Sequence, residues 1–217
     1  MEMMKYAKLI DGKLTLFRNP LQKDGMDIYN PSAEVLAGEG YKPYAEDAVD
    51  SSRLDACDLG FEYRETDTEI RKVWVYTPNL EKAKAAKLAE LNGAFDAAAK
   101  EAHCTSSAGF EINADEIANR NIEGLVLVMQ AGGTTLFRAY DNSFHEVTRE
   151  QLEIMRKEIV INSQYLYQAK WTFEAQIMQA QTEETLADID ITAEALAELA
   201  DSLKVAASEG AENAETV

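Results

Sequence analysis

The chain is poor in the residues that usually carry chemistry or staples. Among 217 residues there are two cysteines, two histidines, two tryptophans and four prolines. Two cysteines, Cys57 and Cys104, are too few for a disulfide scaffold and read as free thiols of a reducing compartment. Histidine is the side chain that ordinarily titrates near neutral pH, so acid–base catalysis has little to draw on. No window approaches the ~18 apolar residues needed to cross a bilayer, and the start lacks the apolar stretch of a signal peptide. Positive charge is also scarce: 21 Lys and Arg stand against 39 Asp and Glu, a net charge of −18. Such a chain repels bare phosphate backbones and anionic membranes, so neither nucleic acid nor membrane is an expected partner.

What is present is enough apolar residue, 46%, to build a core. The pattern implies an α+β protein: a small N-terminal antiparallel-sheet module (1–78), a connecting helix (79–105), a C-terminal β-hairpin with long helices (106–208) and a flexible acidic tail (209–217). In the first region, Asp11-Gly12 sits between two apolar runs, and both residues accept the positive φ of a two-residue hairpin turn. Asn30-Pro31 opens a helical turn over 32–37, ended by Gly38 and Gly40. Phe61-Glu62-Tyr63-Arg64-Glu65 and Lys72-Val73-Trp74-Val75-Tyr76 alternate as half-buried strands do, with turn chemistry at Thr66-Asp67-Thr68-Glu69.

Pro78 and a capping Asn79 precede a helix over 80–102, with Leu88, Leu91, Phe95, Ala98 and Ala102 on one thin face. This helix is expected to act as a strut packed on one neighbour. Farther on, Leu125-Val126-Leu127-Val128-Met129 and Thr134-Thr135-Leu136-Phe137-Arg138 flank Gly132-Gly133 and read as a tight hairpin. Thr148-Arg149-Glu150-Gln151 fits a capping box. The helix after it repeats Leu152, Ile159, Leu166 and Phe173 every seven residues, widened by Met155, Ala169 and Ile177. A last helix starts near Thr182 or after Asp190, with Ile189, Leu196 and Leu203 again seven apart. Over 181–217, ten acidic residues face one lysine. Two arrangements satisfy the heptads: a seam between copies of the chain or antiparallel packing within one subunit. Leu152, Met155, Ile159, Leu166, Phe173, Leu196 and Leu203 are accordingly the candidate interface residues.

Several groups of residues bear on possible chemistry. His103, Cys104, His145 and Cys57 are zinc-type ligands without zinc-type spacing. Neither cysteine has a nucleophile elbow around it. Gly132-Gly133-Thr134-Thr135 lacks the lysine and following helix of a phosphate loop. Glu111, Asp115 and Glu116 form an acid pair of the glycosidase kind only in a chain where acids are everywhere. Asp115 fits an N-cap, and Asp141 with Asn142 a turn that bonds its own backbone. Trp74 and Trp171 read as core or interface anchors. No catalytic residue, cofactor or metal is therefore expected.

The order Gly109-Phe110-Glu111-Ile112-Asn113-Ala114-Asp115, then Tyr140-Asp141-Asn142-Ser143-Phe144, a long helix, and Ala180-Gln181-Thr182-Glu183-Glu184-Thr185-Leu186-Ala187-Asp188-Ile189-Asp190 resembles a domain of unassigned chemistry in small proteins of tailed bacteriophages and prophages. Such proteins tend to be encoded beside tail-fibre and baseplate genes. Tyr6-Ala7-Lys8-Leu9-Ile10-Asp11-Gly12, Asn30-Pro31-Ser32-Ala33-Glu34, Gly40-Tyr41-Lys42-Pro43 and Glu69-Ile70-Arg71-Lys72-Val73-Trp74 are similar to modules that often precede it. The resemblance implies a structural or adaptor protein of the virion tail, made in the bacterial cytoplasm. Its partners would be other fibre or baseplate proteins, and the three- or sixfold symmetry common in tails leaves open a homo-oligomer, trimer or hexamer. A transient fibre-assembly chaperone is the alternative. Charge alone allows a further one, a DNA-mimicking inhibitor of a host nuclease.

Overall fold

A computed structural model describes residues 5–215, with side chains through Ser208. The fold is α+β, and the chain divides between Lys82 and Ala83 into two compact units. The first carries 11 basic and 16 acidic residues, the second 10 and 23, so most of the charge excess belongs to the second.

The first unit is a five-stranded sheet in the order β2 (Lys13–Leu16), β1 (Lys5–Ile10), β5 (Lys42–Glu46), β7 (Ile70–Pro78), β6 (Cys57–Glu65). The β1–β2 turn is built as its sequence demands, with Asp11 at φ 51° and Gly12 at φ 74°. A short ribbon, β3 (Leu21–Lys23) with β4 (Met26–Ile28), and helix α1 (Ala33–Gly38), capped by Ser32, complete the unit before β5. The sheet is mixed, not purely antiparallel: β5 and β7 run parallel. After β5 the chain takes the outer edge as β6, then returns into the gap as β7. Local patterns fix strands but not their order, which is why this pairing was missed. Ala7, Tyr44 and Ile70 form the buried centre, with Leu9, Leu14 and Tyr63 packed on it. Tyr44 donates its hydroxyl proton to Glu46 at 2.7 Å.

In the second unit α2 (Leu80–Lys100) is more than a strut. Leu91 and Phe95 are buried, Phe95 lies 4.9 Å from the Tyr167 ring, and Lys84 Nζ donates to the Met178 carbonyl at 3.0 Å. These contacts set α2 antiparallel to α4 (Arg149–Gln179). Between them come the pair β8 (His103–Thr105) and β9 (Glu111–Asn113), helix α3 (Glu116–Val128), and the ribbon β10 (Thr134–Arg138) with β11 (Phe144–Thr148). After α4 the chain turns through α5 (Glu183–Ala187) and returns along it as α6 (Ala193–Glu215), so both expected starts of the last helix are used. The flexible tail expected at 209–217 lies outside the described side chains, and its last two residues lie outside the described backbone.

One element differs in kind from the expectation. Leu125-Val126-Leu127-Val128-Met129 is the end of α3, not the first strand of a hairpin. Asp115 starts this helix, its carboxylate accepting from Ala118 N–H at 2.8 Å. Ile122, Leu125, Val126 and Met129 then fall on one helical face and pack into the core, while Leu127 and Val128 stay exposed. The hairpin partner of β10 is instead β11, joined by the Asp141-Asn142 turn. The capping box at Thr148 forms as read: Thr148 N–H donates to Gln151 Oε1 at 2.9 Å, and Gln151 N–H to Thr148 Oγ1 at 3.2 Å.

Candidate protein-interaction surfaces

The heptad residues are placed inside the unit. Leu152, Met155 and Ile159 join Cys104, Ile112, Ala114, Ile122 and Val147 in one core cluster. Leu166, Phe173 and Leu196 are also buried, and Leu203 is half-buried. Helix α4 packs against α3 on one part of its length and α6 on another. The seam that suggested a contact between copies is thus occupied within one chain: six of these seven residues are core, and Leu203 is half-buried.

A different face of α4 is apolar and open. Val160, Tyr167, Trp171 and Met178 are all exposed. Their steps of seven, four and seven return to one line at ~100° per residue, a stripe about 27 Å long at ~1.5 Å rise per residue. Trp171 is 52% exposed, stands 6.0 Å from the Tyr167 ring, and its indole N–H donates to nothing among the described residues. An amphipathic ring left half in water is the usual anchor of a protein contact. The β10–β11 ribbon has a second such face. Phe137 and Val147 turn inward, so Leu136 and Phe144 turn outward, 66% and 63% exposed, with Arg138 and Glu146 beside them. In the first unit, Phe61 meets Tyr63 and Trp74 edge-on, and the Lys72 ammonium lies 4.6 Å from the Phe61 ring and 4.0 Å from the Trp74 ring. The indole N–H of Trp74 donates to the Asp47 carbonyl at 2.8 Å, which fixes that ring.

The residues weighed for chemistry are engaged in architecture. Asp141 accepts from Ser143 N–H at 2.9 Å and from its hydroxyl at 2.6 Å, and Ser143 Oγ lies 2.8 Å from His145 Nε2. Serine, histidine and aspartate therefore meet, a group the sequence reading missed. The carboxylate holds the serine, not the histidine, which is the reverse of what an activated nucleophile needs. The Asp141 carboxyl is held below its ordinary range by the Ser143 hydroxyl and N–H. His145 stacks on Phe110 at 3.9 Å, and His103 on Tyr140 at 4.3 Å. Burial pushes the Cys104 thiol up, against thiolate. Among the described residues no three His, Cys, Asp or Glu side chains gather to hold a metal ion, and no helix is long and apolar enough to cross a membrane.

Residues 82–206, more than half of the chain, match the domain of unknown function DUF4376. The chain belongs to that family. The DUF4376 match takes in α3, the ribbon, α4 and most of α6, so both open apolar faces of the second unit lie within it. No curated protein and no solved structure matches the chain.

Proposed function

We propose that this protein is a non-enzymatic adaptor of a phage tail, working near the fibre or baseplate through contacts with other tail proteins. The observation that carries this reading is the exposed stripe Val160–Tyr167–Trp171–Met178 on a helix whose neighbouring face is already committed to the core. A soluble chain gains nothing from a line of large apolar side chains in water unless something covers it. The likeness of both halves to small phage proteins supplies the setting, and the outward Leu136 and Phe144 offer a second contact.

Mass spectrometry of purified particles tests the reading. The protein is expected in the particle at fixed stoichiometry, and Trp171→Asp is expected to release it while the isolated protein keeps its helical circular dichroism. Absence from particles that nevertheless need the gene for fibres would replace the adaptor with the chaperone reading, which the same open faces support. Incorporation untouched by Trp171→Asp and Phe144→Asp together would remove the surface argument altogether.

A further inference from the structure

Strand β6 is one edge of the first unit's sheet, β2 being the other. Among the described residues its only sheet neighbour is β7, and seven of its nine residues are exposed. The direction of its backbone groups follows from its two ends. Asn79 N–H donates to Ala56 O at 2.8 Å, and Thr66 N–H donates to Glu69 O at 2.9 Å. With the register that sets Phe61 opposite Trp74, the hydrogen-bonded pairs with β7 fall on even-numbered residues. In an antiparallel ladder the alternate residues turn N–H and C=O the other way. Leu59, Phe61 and Tyr63 therefore hold a row of backbone donors and acceptors toward the open edge, beneath side chains of which Phe61 is 53% exposed. Such an edge is a template for one more strand.

We infer that a second copy of this chain supplies that strand, with two β6 strands pairing antiparallel about a two-fold axis at Phe61 and merging two sheets into one. The backbone admits only two-fold registers that set odd-numbered residues against odd-numbered ones. Side chains choose among them. Centred on Phe61, Leu59 lies across from the partner's Tyr63, Asp58 across from the partner's Arg64, and all nine residues of the strand find a mate. Centred on Gly60, Asp58 meets the partner's Glu62. Centred on Glu62, that carboxylate meets its own copy. Like charges directly opposite one another destabilise a sheet pair. Centred on Tyr63, Phe61 faces the partner's Glu65 and Leu59 runs past the end of the strand. Of these, the Phe61 register sets no like charges opposite one another, places Leu59 and Phe61 against aromatic rings and brings Arg64 to Asp58; the Arg64 guanidinium, which gives its Nε to Glu62 at 2.7 Å, keeps its other donors for that contact. Asp58 remains able to accept: Lys82 sits 3.0 Å from one oxygen and Asn79 donates at 2.8 Å to the other, each using one lone-pair direction. The charges that ward off foreign strands are thus the ones that admit this one.

The contact is independent of any tail partner, so it can fail without touching the adaptor reading. In the full chain, Phe61→Cys is oxidised and followed by non-reducing electrophoresis. Opposed residues of a hydrogen-bonded antiparallel pair lie ~5.5 Å apart, within disulfide reach, so Phe61→Cys is expected to cross-link to itself about tenfold faster than Leu16→Cys, an exposed position on the sheet's other edge. The unsubstituted chain, with Cys57 and Cys104 buried, sets the background. Sedimentation equilibrium is the second readout. The native chain is expected to approach twice its 24.1 kDa mass with rising concentration. Arg64→Asp is expected to weaken that association about tenfold, and adding Asp58→Arg to restore it. A monomer at every concentration, or a dimer that ignores Arg64→Asp while Phe61→Cys cross-links no faster than Leu16→Cys, would overturn the proposal.

Discussion

The two units solve the same problem by different means. Of the nine largest fully buried side chains, one, Ile70, belongs to the first unit, and eight belong to the second. The first unit leans on its sheet ladder and on surface cation–aromatic and ion-pair contacts, such as Lys72 with Phe61 and Trp74, Arg53 over Tyr76 and Lys42 with Glu65. Ion pairs at the surface, such as Lys42 with Glu65, are worth about 1 kcal/mol or less, and cation–aromatic contacts about 0.5–2 kcal/mol. The second unit buries a continuous cluster from Cys104 to Ile159 and a helix stripe beyond it. A unit with so thin a core is the one whose edge gains most from a further strand, whereas the second can leave apolar faces open and still hold its shape.

The comparison breaks or sharpens through substitution. Leu152→Ala empties the centre of the second unit and is expected to cost about 2–5 kcal/mol, read as a fall in the denaturation midpoint of its helical signal. Ile70→Ala removes a similar amount from a smaller total. It is expected to abolish the first unit's transition, followed by Trp74 fluorescence, while the helical transition stays within ~0.5 kcal/mol. A single transition that moves as one in both variants would erase the distinction between the units. Thr148→Ala deletes one half of the capping box at the head of α4 and is expected to cost about 1 kcal/mol in the second unit only.

The smallest effect is that of pH. The Asp58 carboxyl is held below its ordinary range, first by the hydrogen bond from Lys82 and then by Asn79. A carboxylate whose folded pKa is depressed stabilises the protein above its unfolded value, and that contribution disappears as pH falls through the folded one. Acid titration should therefore weaken the first unit below the usual carboxylate range. Lys82→Met should flatten the slope, and an unchanged slope would show that the pair contributes nothing.

Much of the local structure was legible because it is written in pairs of residues a few positions apart. Asp11-Gly12, Asp115 before α3 and Thr148 with Gln151 each satisfy backbone groups directly, and each is found as read. Leu125–Met129 was misread because five apolar residues with two valines fit a strand as well as a buried helix. The deciding information lay outside the run: the cap at Asp115 and Ile122, three residues before Leu125. Strand order in the first unit was not legible, since β5 and β7 are set side by side by a chain return that no local pattern records. The open faces were missed for another reason. The stripe that repeats every seven residues is the stronger periodic signal, and the second apolar line, from Val160 to Met178, runs one position around the same helix.

Helix α4 also fixes a length. Its 31 residues, at ~1.5 Å each, make a rod of about 46 Å, packed against α3 and α6. The β10–β11 ribbon joins one end and the turn into α5 leaves the other. Molecules held at those two ends would stand about one helix length apart, so the helix would set their spacing as well as carry the core.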